Sequence, residues 1–232
     1  MSGDAARGAA GARGAAGAAV TAGARPRLLL VTTNPGKRAE IAAILGDLGI
    51  EFAVPGGPLD LGPETGATFA ENAALKARAA AAASGTFALA DDSGLVVDAL
   101  GGRPGVLSAR FAGPDATDAE NNAKLLALMA GVAPAARSAR FACAVACAAP
   151  GGDVVLGAGE CRGRIAAAPR GTCGFGYDPL FEVEGLGLTM AELERAQKNA
   201  LSHRARALRD LKPKLAGILA PAARGAGEGA RI

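Results

Sequence analysis

The amino-acid sequence predicts an α/β fold in which helices flank a mixed β-sheet, and two observations lead to this expectation. Short apolar segments alternate with helix-forming segments in the first half of the chain, which favours parallel pairing of the strands. Strand-like segments follow one another directly in the middle of the chain, which favours antiparallel pairing. A length of 232 residues is enough for one large domain or two small lobes.

The first half of the chain is predicted to alternate between strand and helix. Residues 27–32 form a short apolar run that is typical of a buried strand. Apolar side chains recur at helical spacing in residues 36–48, and Gly49 follows as a stop signal. Good helix formers fill residues 68–83. The complete set of predicted elements in this half is strands at 27–32, 51–54 and 86–90 and helices at 36–48 and 68–83.

The second half is predicted to hold the strand cluster between two helical regions. Asp118 is the N-cap candidate of the first helix. Pro150, Gly151 and Gly152 form the turn that joins two of the strands. The predicted elements are a helix at 118–129, strands at 138–148, 153–159 and 164–168, and one or two helices at 190–211.

The composition excludes several classes of protein. Hydrophobic residues make up 50% and charged residues 20%, so the chain is not wholly disordered. No apolar run approaches the roughly 18 residues of a membrane span. Trp is absent, only one Tyr and seven Phe are present, and the net charge is +3, which argues against nucleic-acid and membrane partners. The core is therefore expected to consist mainly of Ala, Val, Leu and Ile.

The four cysteines and the single histidine give no zinc-binding pattern. No CxxC pair occurs, and His203 is the only histidine. Without a secretory signal we expect reduced thiols and a cytoplasmic location.

The two ends of the chain are rich in Ala and Gly. Residues 1–26 are predicted to be a disordered tail, with an upstream start codon and a transit peptide as alternatives. Residues 220–232 are predicted to be a second disordered tail. The folded domain is expected to span residues 27–219.

The segment between the first strand and the first helix is the first candidate for ligand binding. A helix N-terminus presents free backbone N–H groups that suit phosphate, and Lys37 adds a mobile positive charge. The spacing is not that of a Walker A loop, and an ordinary polar turn is the alternative interpretation. The residues concerned are Thr32, Thr33, Asn34, Pro35, Gly36 and Lys37.

Two adjacent carboxylates, Asp91 and Asp92, follow an apolar strand and precede Ser93 and Gly94. Neighbours in an extended chain point to opposite faces, so one carboxylate can face a site while the other braces the turn. Carboxylates suit Mg²⁺, which prefers oxygen ligands. The alternative is a turn with an Asp N-cap.

A third segment places Glu64 before the helix that contains Asn72 and Lys76. Asn72 and Lys76 are four residues apart and share one helix face. Taken alone, this segment favours a solvated helix face over a binding site.

Two further segments in the last third of the chain carry polar and aromatic groups. Glycines around Phe175 indicate close backbone approach to a flat ligand, and Phe175 could stack on a base while Asp178 offers an acceptor. Three strong donors, Lys198, His203 and Arg204, cluster further on. A lone histidine is more often structural than catalytic, and a Ser-His-Asp hydrolase is disfavoured because no G-x-S-x-G motif is present.

The order and spacing of these segments together resemble the inosine triphosphate pyrophosphatase family, also called the dITP/XTP pyrophosphatases. The resemblance covers nearly all of residues 27–211. The five blocks that carry it are TTNPGK (32–37), ETGATFAENAALKA (64–77), ADDSGLVVDALGGRPGVLSARFAG (90–113), GTCGFGYDPLF (171–181) and QKNALSHR (197–204).

The resemblance implies a hydrolase that converts purine nucleoside triphosphates containing hypoxanthine or xanthine (ITP, dITP, XTP) to the monophosphate and pyrophosphate. It also implies Mg²⁺ as cofactor, a homodimer, and a long, highly twisted mixed sheet with the site in a cleft between two lobes. A related pyrophosphatase of different specificity and a non-enzymatic nucleotide-binding module are the alternatives.

The resemblance assigns roles to individual residues. It implies that Asp92 is the proton acceptor and that Glu64 and Asp92 are the Mg²⁺ ligands. The implied substrate contacts are the triphosphate loop Thr32, Thr33, Asn34, Pro35, Gly36 and Lys37, then Ser93, the base-binding residues Phe175, Gly176, Tyr177 and Asp178, and finally Lys198, His203 and Arg204.

Three positions depart from the family pattern. Cys173 replaces a residue that is more often small, beside the base-binding stretch. Gln197 stands where Glu is common, and Thr33 where Gly is frequent. None of them is a residue to which the chemistry is assigned.

Overall fold

The computed structural model describes residues 25–224, which form an α/β fold around a six-stranded mixed sheet. The strand order is β2-β1-β3-β4-β5-β6. Strands β1, β2 and β3 pair in parallel, whereas β3 to β6 pair antiparallel. The strands are β1 (Arg27–Leu30), β2 (Glu51–Ala53), β3 (Phe87–Val97), β4 (Ser138–Ala148), β5 (Val154–Ile165) and β6 (Phe181–Val183). The prediction of an α/β fold with a mixed sheet is confirmed.

Helices cover both faces of the sheet. Strand β3 alternates between them, since Ala88 and Ala90 pack in the cluster of α2, while Leu89 packs in the cluster of α1 and α5. We call these two sides of β3 the α2 face and the α5 face. The helices are α1 (Pro35–Leu45), α2 (Phe69–Ser84), α3 (Asp118–Leu128), α4 (Arg195–Leu201) and α5 (His203–Arg224).

Side chains of Ala, Leu, Val and Ile dominate the core, as predicted. A third apolar cluster joins the ends of β3, β4 and β5 to β6 and α3. Phe141 and Phe181 contact each other in that cluster, with ring centres 4.4 Å apart. No helix within residues 25–224 is long and apolar enough to cross a membrane.

The middle of the sheet differs from the prediction. Strand β3 does not turn at Asp91 but continues to Val97, because β4 pairs with it from Ala88 to Val97. Strand β5 likewise continues to Ile165, so the separate strand predicted at 164–168 is wrong. Strand β6 lay outside the predicted elements.

The helix boundaries also needed correction. Thr117, not Asp118, is the N-cap of α3, because its hydroxyl accepts from the backbone N–H of Glu120. The last helical region starts at Arg195, and α5 continues to Arg224, beyond the predicted ends of the helix and of the folded domain. The rest of the two predicted tails, residues 1–24 and 225–232, lies outside the described residues.

Candidate active site

The two adjacent aspartates of β3 face opposite sides of the sheet, as the period of an extended chain predicts. Asp91 lies on the α5 face and bonds Lys37 and Arg204. Asp92 lies on the α2 face and bonds Asn72 and Lys76. The candidate site therefore has two halves, which are separated by the backbone of β3.

A buried network of charges occupies the α5 face. The Asp91 carboxylate accepts from Lys37 Nζ at 2.9 Å and from Arg204 Nε at 3.1 Å. Arg204, which is 1% exposed, also donates to Glu40 Oε2 at 2.9 Å and to Ser93 Oγ at 3.2 Å. Burial opposes the ionisation of Asp91, but the charges of Arg204 and Lys37 outweigh it and hold its pKa well below its usual range.

A second charged cluster lies on the α2 face. Lys76 Nζ donates to Asp92 Oδ1 at 3.2 Å and to Glu64 Oε1 at 2.9 Å. Asn72 Nδ2 donates to the other Asp92 oxygen at 3.2 Å, and Arg110 Nη1 lies 3.2 Å from Glu64 Oε2. Because Asn72 is 1% exposed and faces Asp92, the interpretation of this helix face as solvated is wrong.

The two carboxyl groups of this cluster differ in their ionisation. Burial raises the pKa of Asp92 above its usual value, and the charge of Lys76 offsets this only in part. Burial also opposes ionisation of Glu64, yet its contacts with Lys76 and Arg110 bring its pKa below the usual value. A cation placed between these groups would favour the charged form of both.

Glu64 and Asp92 have the chemistry of a divalent-cation site. Both bond the same ammonium group, that of Lys76, so two carboxylates already surround one positive charge. Mg²⁺ is commonly held by one or two carboxylates, with water and substrate phosphates as its other ligands. Within residues 25–224 no group of three or more His, Cys, Asp or Glu side chains is arranged to hold a metal ion. The residues present therefore fit Mg²⁺ and not an all-protein metal cage.

One cavity, of about 250 Å³, gathers most of the predicted substrate contacts on the α5 side. Ten of them line it together, although they come from four separate parts of the chain. They are Asn34, Lys37, Ser93, Phe175, Gly176, Tyr177, Asp178, Lys198, His203 and Arg204.

The segment before α1 divides between two cavities. Asn34 and Lys37 line the cavity just described, whereas Thr32 and Thr33 line a neighbouring cavity of about 710 Å³ together with Arg38. Asn34 is the N-cap of α1, and its Oδ1 accepts from the N–H groups of Gly36 and Lys37 at 2.8 and 3.2 Å. Pro35 and Gly36 form the first turn of α1 and line neither cavity. The side chain of Asn34 thus accepts hydrogen bonds from two of the backbone N–H groups that the sequence analysis expected to bind phosphate.

The aromatic ring of Phe175 is presented with two cations beside it. The ring is 36% exposed, and Lys198 Nζ and Arg204 Cζ lie 4.8 and 5.8 Å from its centre. Asp178 accepts from the Phe175 N–H at 2.9 Å and from Lys198 Nζ at 2.6 Å. Burial raises the pKa of Asp178, although Lys198 opposes this. At Gly174 a Cβ would lie 2.0 Å from Asp178 Oδ2, so only glycine fits there.

His203 and Tyr177 are largely buried beneath this cavity. The His203 ring stacks on Phe141 with centres 4.9 Å apart, and its Nδ1 has no hydrogen-bond partner among the described residues. Burial, with the charges of Arg204 and Lys198, lowers the pKa of His203 well below its usual value, so the ring is neutral at pH 7. The Tyr177 hydroxyl donates to the Ser108 carbonyl at 2.9 Å, which anchors this part of the loop.

Several residues of the site escaped the sequence analysis. Glu40 and Asn122 had no assigned role, and Asp118 was assigned only as a helix N-cap, although Glu40 is three residues from Lys37 and therefore on the same side of α1. Lys76 and Arg110 lie within two of the five blocks, which was the available signal. Their partners are distant in sequence, so helix periodicity could not reveal them.

The departures from the family pattern leave the charged groups intact. All four cysteines are free, as expected, and Cys173 is exposed while the other three are buried. Gln197 Oε1 accepts from the backbone N–H of Glu194 and so completes the N-terminal cap of α4. An amide serves this purpose as a carboxylate would.

Fold and site together define an α/β protein with a cation-lined cavity, an exposed aromatic ring and a carboxylate pair. The chain belongs to the Ham1 family, whose family model matches residues 28–214. A dITP/XTP pyrophosphatase of Geobacillus kaustophilus is 52% identical over 188 residues, which is 79% of this chain and 91% of that protein. One from Nocardia farcinica is 50% identical over 83% of this chain and 96% of its own length.

Solved structures agree with this assignment. A HAM1 protein from Coxiella burnetii is 41% identical, with a TM-score of 0.73, and the match covers 84% of this chain and 99% of that one. A nucleoside-triphosphatase described as dITP/XTP pyrophosphatase from Mycobacterium abscessus is 43% identical, with a TM-score of 0.67, over 82% of this chain and 99% of its own.

Proposed function

We propose that this protein hydrolyses non-standard purine nucleoside triphosphates, namely ITP, dITP and XTP, to the monophosphate and pyrophosphate, with Mg²⁺ as cofactor. The names of its relatives support the reaction. The observation that carries it in this chain is the two-sided arrangement about β3. A carboxylate pair faces one side, and a cavity with an aromatic ring and several cations faces the other.

The cavity on the α5 side is the proposed base-binding half. Phe175 offers an exposed ring on which a purine can stack. Hypoxanthine and xanthine carry an acceptor oxygen at position 6, where adenine carries a donor amine. Arg204 donates three of its five N–H groups to Asp91, Glu40 and Ser93, and the other two are available to donate to that oxygen. Adenine would leave such a donor unpaired, at a cost of roughly 1–3 kcal/mol.

Lys37, on the α5 side, and Lys76 and Arg110, on the α2 side, are the proposed phosphate-binding cations. Each of them already bonds a carboxylate of the site, so each lies where a phosphate oxygen can replace or share that partner. Preorganised cations stabilise the negative charge that develops during phosphoryl transfer. Glu64 and Asp92 would hold Mg²⁺, which supplies charge neutralisation and makes water more acidic when bound.

Asp92 is the proposed general base. Asn72 and Lys76 fix its two oxygens, so the carboxylate is held in one orientation. In this proposal it accepts a proton from the water that attacks the α-phosphorus, and pyrophosphate leaves.

The test is pyrophosphate release from ITP, XTP, dITP, ATP, GTP and dCTP, with and without Mg²⁺. We expect rapid, Mg²⁺-dependent release from the first three only. The Asp92→Asn variant should lose turnover by at least about a hundredfold while retaining its thermal unfolding midpoint. Unchanged turnover in that variant would remove Asp92 from the mechanism.

The same panel separates the alternatives. Release from dCTP or another standard nucleotide would keep the catalytic residues and overturn the assignment of the base pocket. A folded protein that binds ITP but releases no pyrophosphate would be a nucleotide-binding module. The cytoplasmic location stays a prediction.

A further inference from the structure

Two side chains of helix α3 form hydrogen bonds with the backbone of the loop that carries Phe175. We call residues 171–178 the base loop. The Asp118 Oδ2 accepts from the Gly176 backbone N–H at 2.7 Å, and Asn122 Nδ2 donates to the Gly176 carbonyl at 2.9 Å. Asp118 and Asn122 are one helical turn apart, so they close on the two polar backbone groups of a single residue.

The base loop has conformational freedom that these contacts remove. Gly171, Gly174 and Gly176 all have positive φ angles, of 76°, 90° and 61°. Glycine reaches many backbone conformations in addition to this one. Gly176 directly follows Phe175, so its placement decides where the aromatic ring lies. Removing one of the two contacts would therefore let the ring depart from its place in the cavity.

The position and bonding of the two side chains point to more than helix packing. Asp118 lines the same cavity as Phe175, His203 and Arg204. The Asn122 Nδ2 donates to the Gly176 carbonyl, whereas the Asn122 Oδ1 is buried and has no hydrogen-bond partner among the described residues. A buried acceptor without a partner is costly, so a residue that bears this cost calls for an explanation.

The same helix also reaches the catalytic half. Asn121 accepts from the Ala112 N–H at 2.8 Å and donates to the Ala109 carbonyl at 3.1 Å. These contacts flank Arg110, which lies 3.2 Å from Glu64. Consecutive residues of α3 thus fix the base loop on one side and a partner of the proposed Mg²⁺ ligand on the other.

We propose that Asp118 and Asn122 are positioning residues for nucleobase recognition, because together they hold the Gly176 backbone and thereby set the place of the Phe175 ring. This inference rests on the proposed function, since it concerns the base half of that site. Neither residue is proposed to take part in the hydrolysis itself.

Two near-isosteric substitutions and one truncation to alanine test the proposal. Asn122→Asp keeps the size but turns a donor to the Gly176 carbonyl into a second acceptor. We expect the KM for ITP to rise about tenfold, with kcat changed little, and the preference for ITP over ATP to fall. Asp118→Asn keeps an acceptor for the Gly176 N–H and should raise the KM less than Asp118→Ala, which removes that acceptor.

Binding of ITP measured by calorimetry in EDTA supplies a readout that does not depend on turnover. Asp115→Ala is the matched control, because Asp115 is an exposed acid near α3 that does not line the cavity. Unchanged KM and Kd in Asn122→Asp and Asp118→Ala would overturn the proposal. The proposal would also be overturned if these variants unfolded at a lower temperature and bound all nucleotides more weakly by the same factor. A wild type that neither binds nor hydrolyses ITP would instead overturn the proposed function, and this inference with it.

Discussion

Asp91 and Asp92 show how strongly the surroundings of a residue decide its role. The two side chains are chemically identical and adjacent, yet one meets Lys37 and Arg204 and the other meets Asn72 and Lys76. Two cations hold the pKa of Asp91 far down, whereas burial raises that of Asp92. Asp91 is therefore a fixed counter-charge for the buried Arg204, whereas Asp92 is one of the two carboxylates proposed to hold Mg²⁺ and the proposed general base.

At the same scale, His203 should make stability depend on pH. Its pKa in the folded chain lies well below the ordinary 6.5, so the unfolded chain binds the proton more readily. The stabilisation is present above about pH 6.5 and is lost as the pH falls below it, by at most about 1.4 kcal/mol per pH unit. Urea unfolding at pH 7.5, 6.5 and 5.5 measures this slope.

The matched variant for this measurement is His203→Gln. His203 is the only histidine, so the variant has no side chain whose ordinary pKa lies near 6.5. The difference in unfolding free energy between wild type and variant should narrow as the pH falls from 7.5 to 5.5. A constant difference across this range would mean that His203 is not held neutral in the folded protein.

At the scale of elements, two glycines let α5 lie directly on β5. A Cβ on Gly157 would lie 2.3 Å from the Ala207 carbonyl oxygen, and one on Gly159 would lie 2.4 Å from the Ala207 nitrogen and the His203 oxygen. These are backbone atoms of the helix, so a clash could be relieved only by moving α5. The first turn of α5 carries His203 and Arg204, which ties the cavity to this close approach.

Gly159→Ala should therefore reduce both stability and substrate binding. Overpacking of this kind costs about 1–3 kcal/mol, and a shifted helix would misplace His203 and Arg204. We expect a lower urea midpoint and a higher KM for ITP. Gly151→Ala is the control, because no atom lies within 4 Å of its Cβ position. Equal urea midpoints for the two variants would show that α5 can shift without a loss of stability, which would contradict this prediction.

At the scale of the whole molecule, strand order decides where the site forms. Strand β4 pairs with β3 alongside both aspartates, whereas β1 pairs with β3 only as far as Leu89, so Asp91 and Asp92 lie past the end of β1 and can be approached from both faces. Lys37, Lys76 and Arg204 reach them from three different helices. A binding site between elements so distant in sequence requires the complete fold.

The homodimer is a prediction for the whole molecule that rests on the family resemblance. Sedimentation velocity at micromolar concentration should give the mass of two chains of 22.7 kDa. A single species with the mass of one chain would contradict it. The same measurement on the Gly159→Ala variant would show whether self-association depends on the placement of α5.

The sequence determined the features that arise from near neighbours along the chain. Apolar periodicity, helix formers and turn residues identified five of the six strands and the main helices, because each of these signals spans only a few residues. The five ordered blocks pointed to the family and to ten residues that line one cavity. The opposite orientation of Asp91 and Asp92 followed from the period of an extended chain alone.

Only the tertiary structure decided which of these residues are partners. Glu40 and Arg204 are 164 residues apart, and Asn122 and Gly176 are 54 apart, so no local pattern could pair them. Because β3 and β5 both pair with β4, they continue as strands through the segments where a turn or a break was expected. Burial against Asp92 turned Asn72 and Lys76 from a solvated face into part of the site, because an ionised carboxylate within a sheet requires partners.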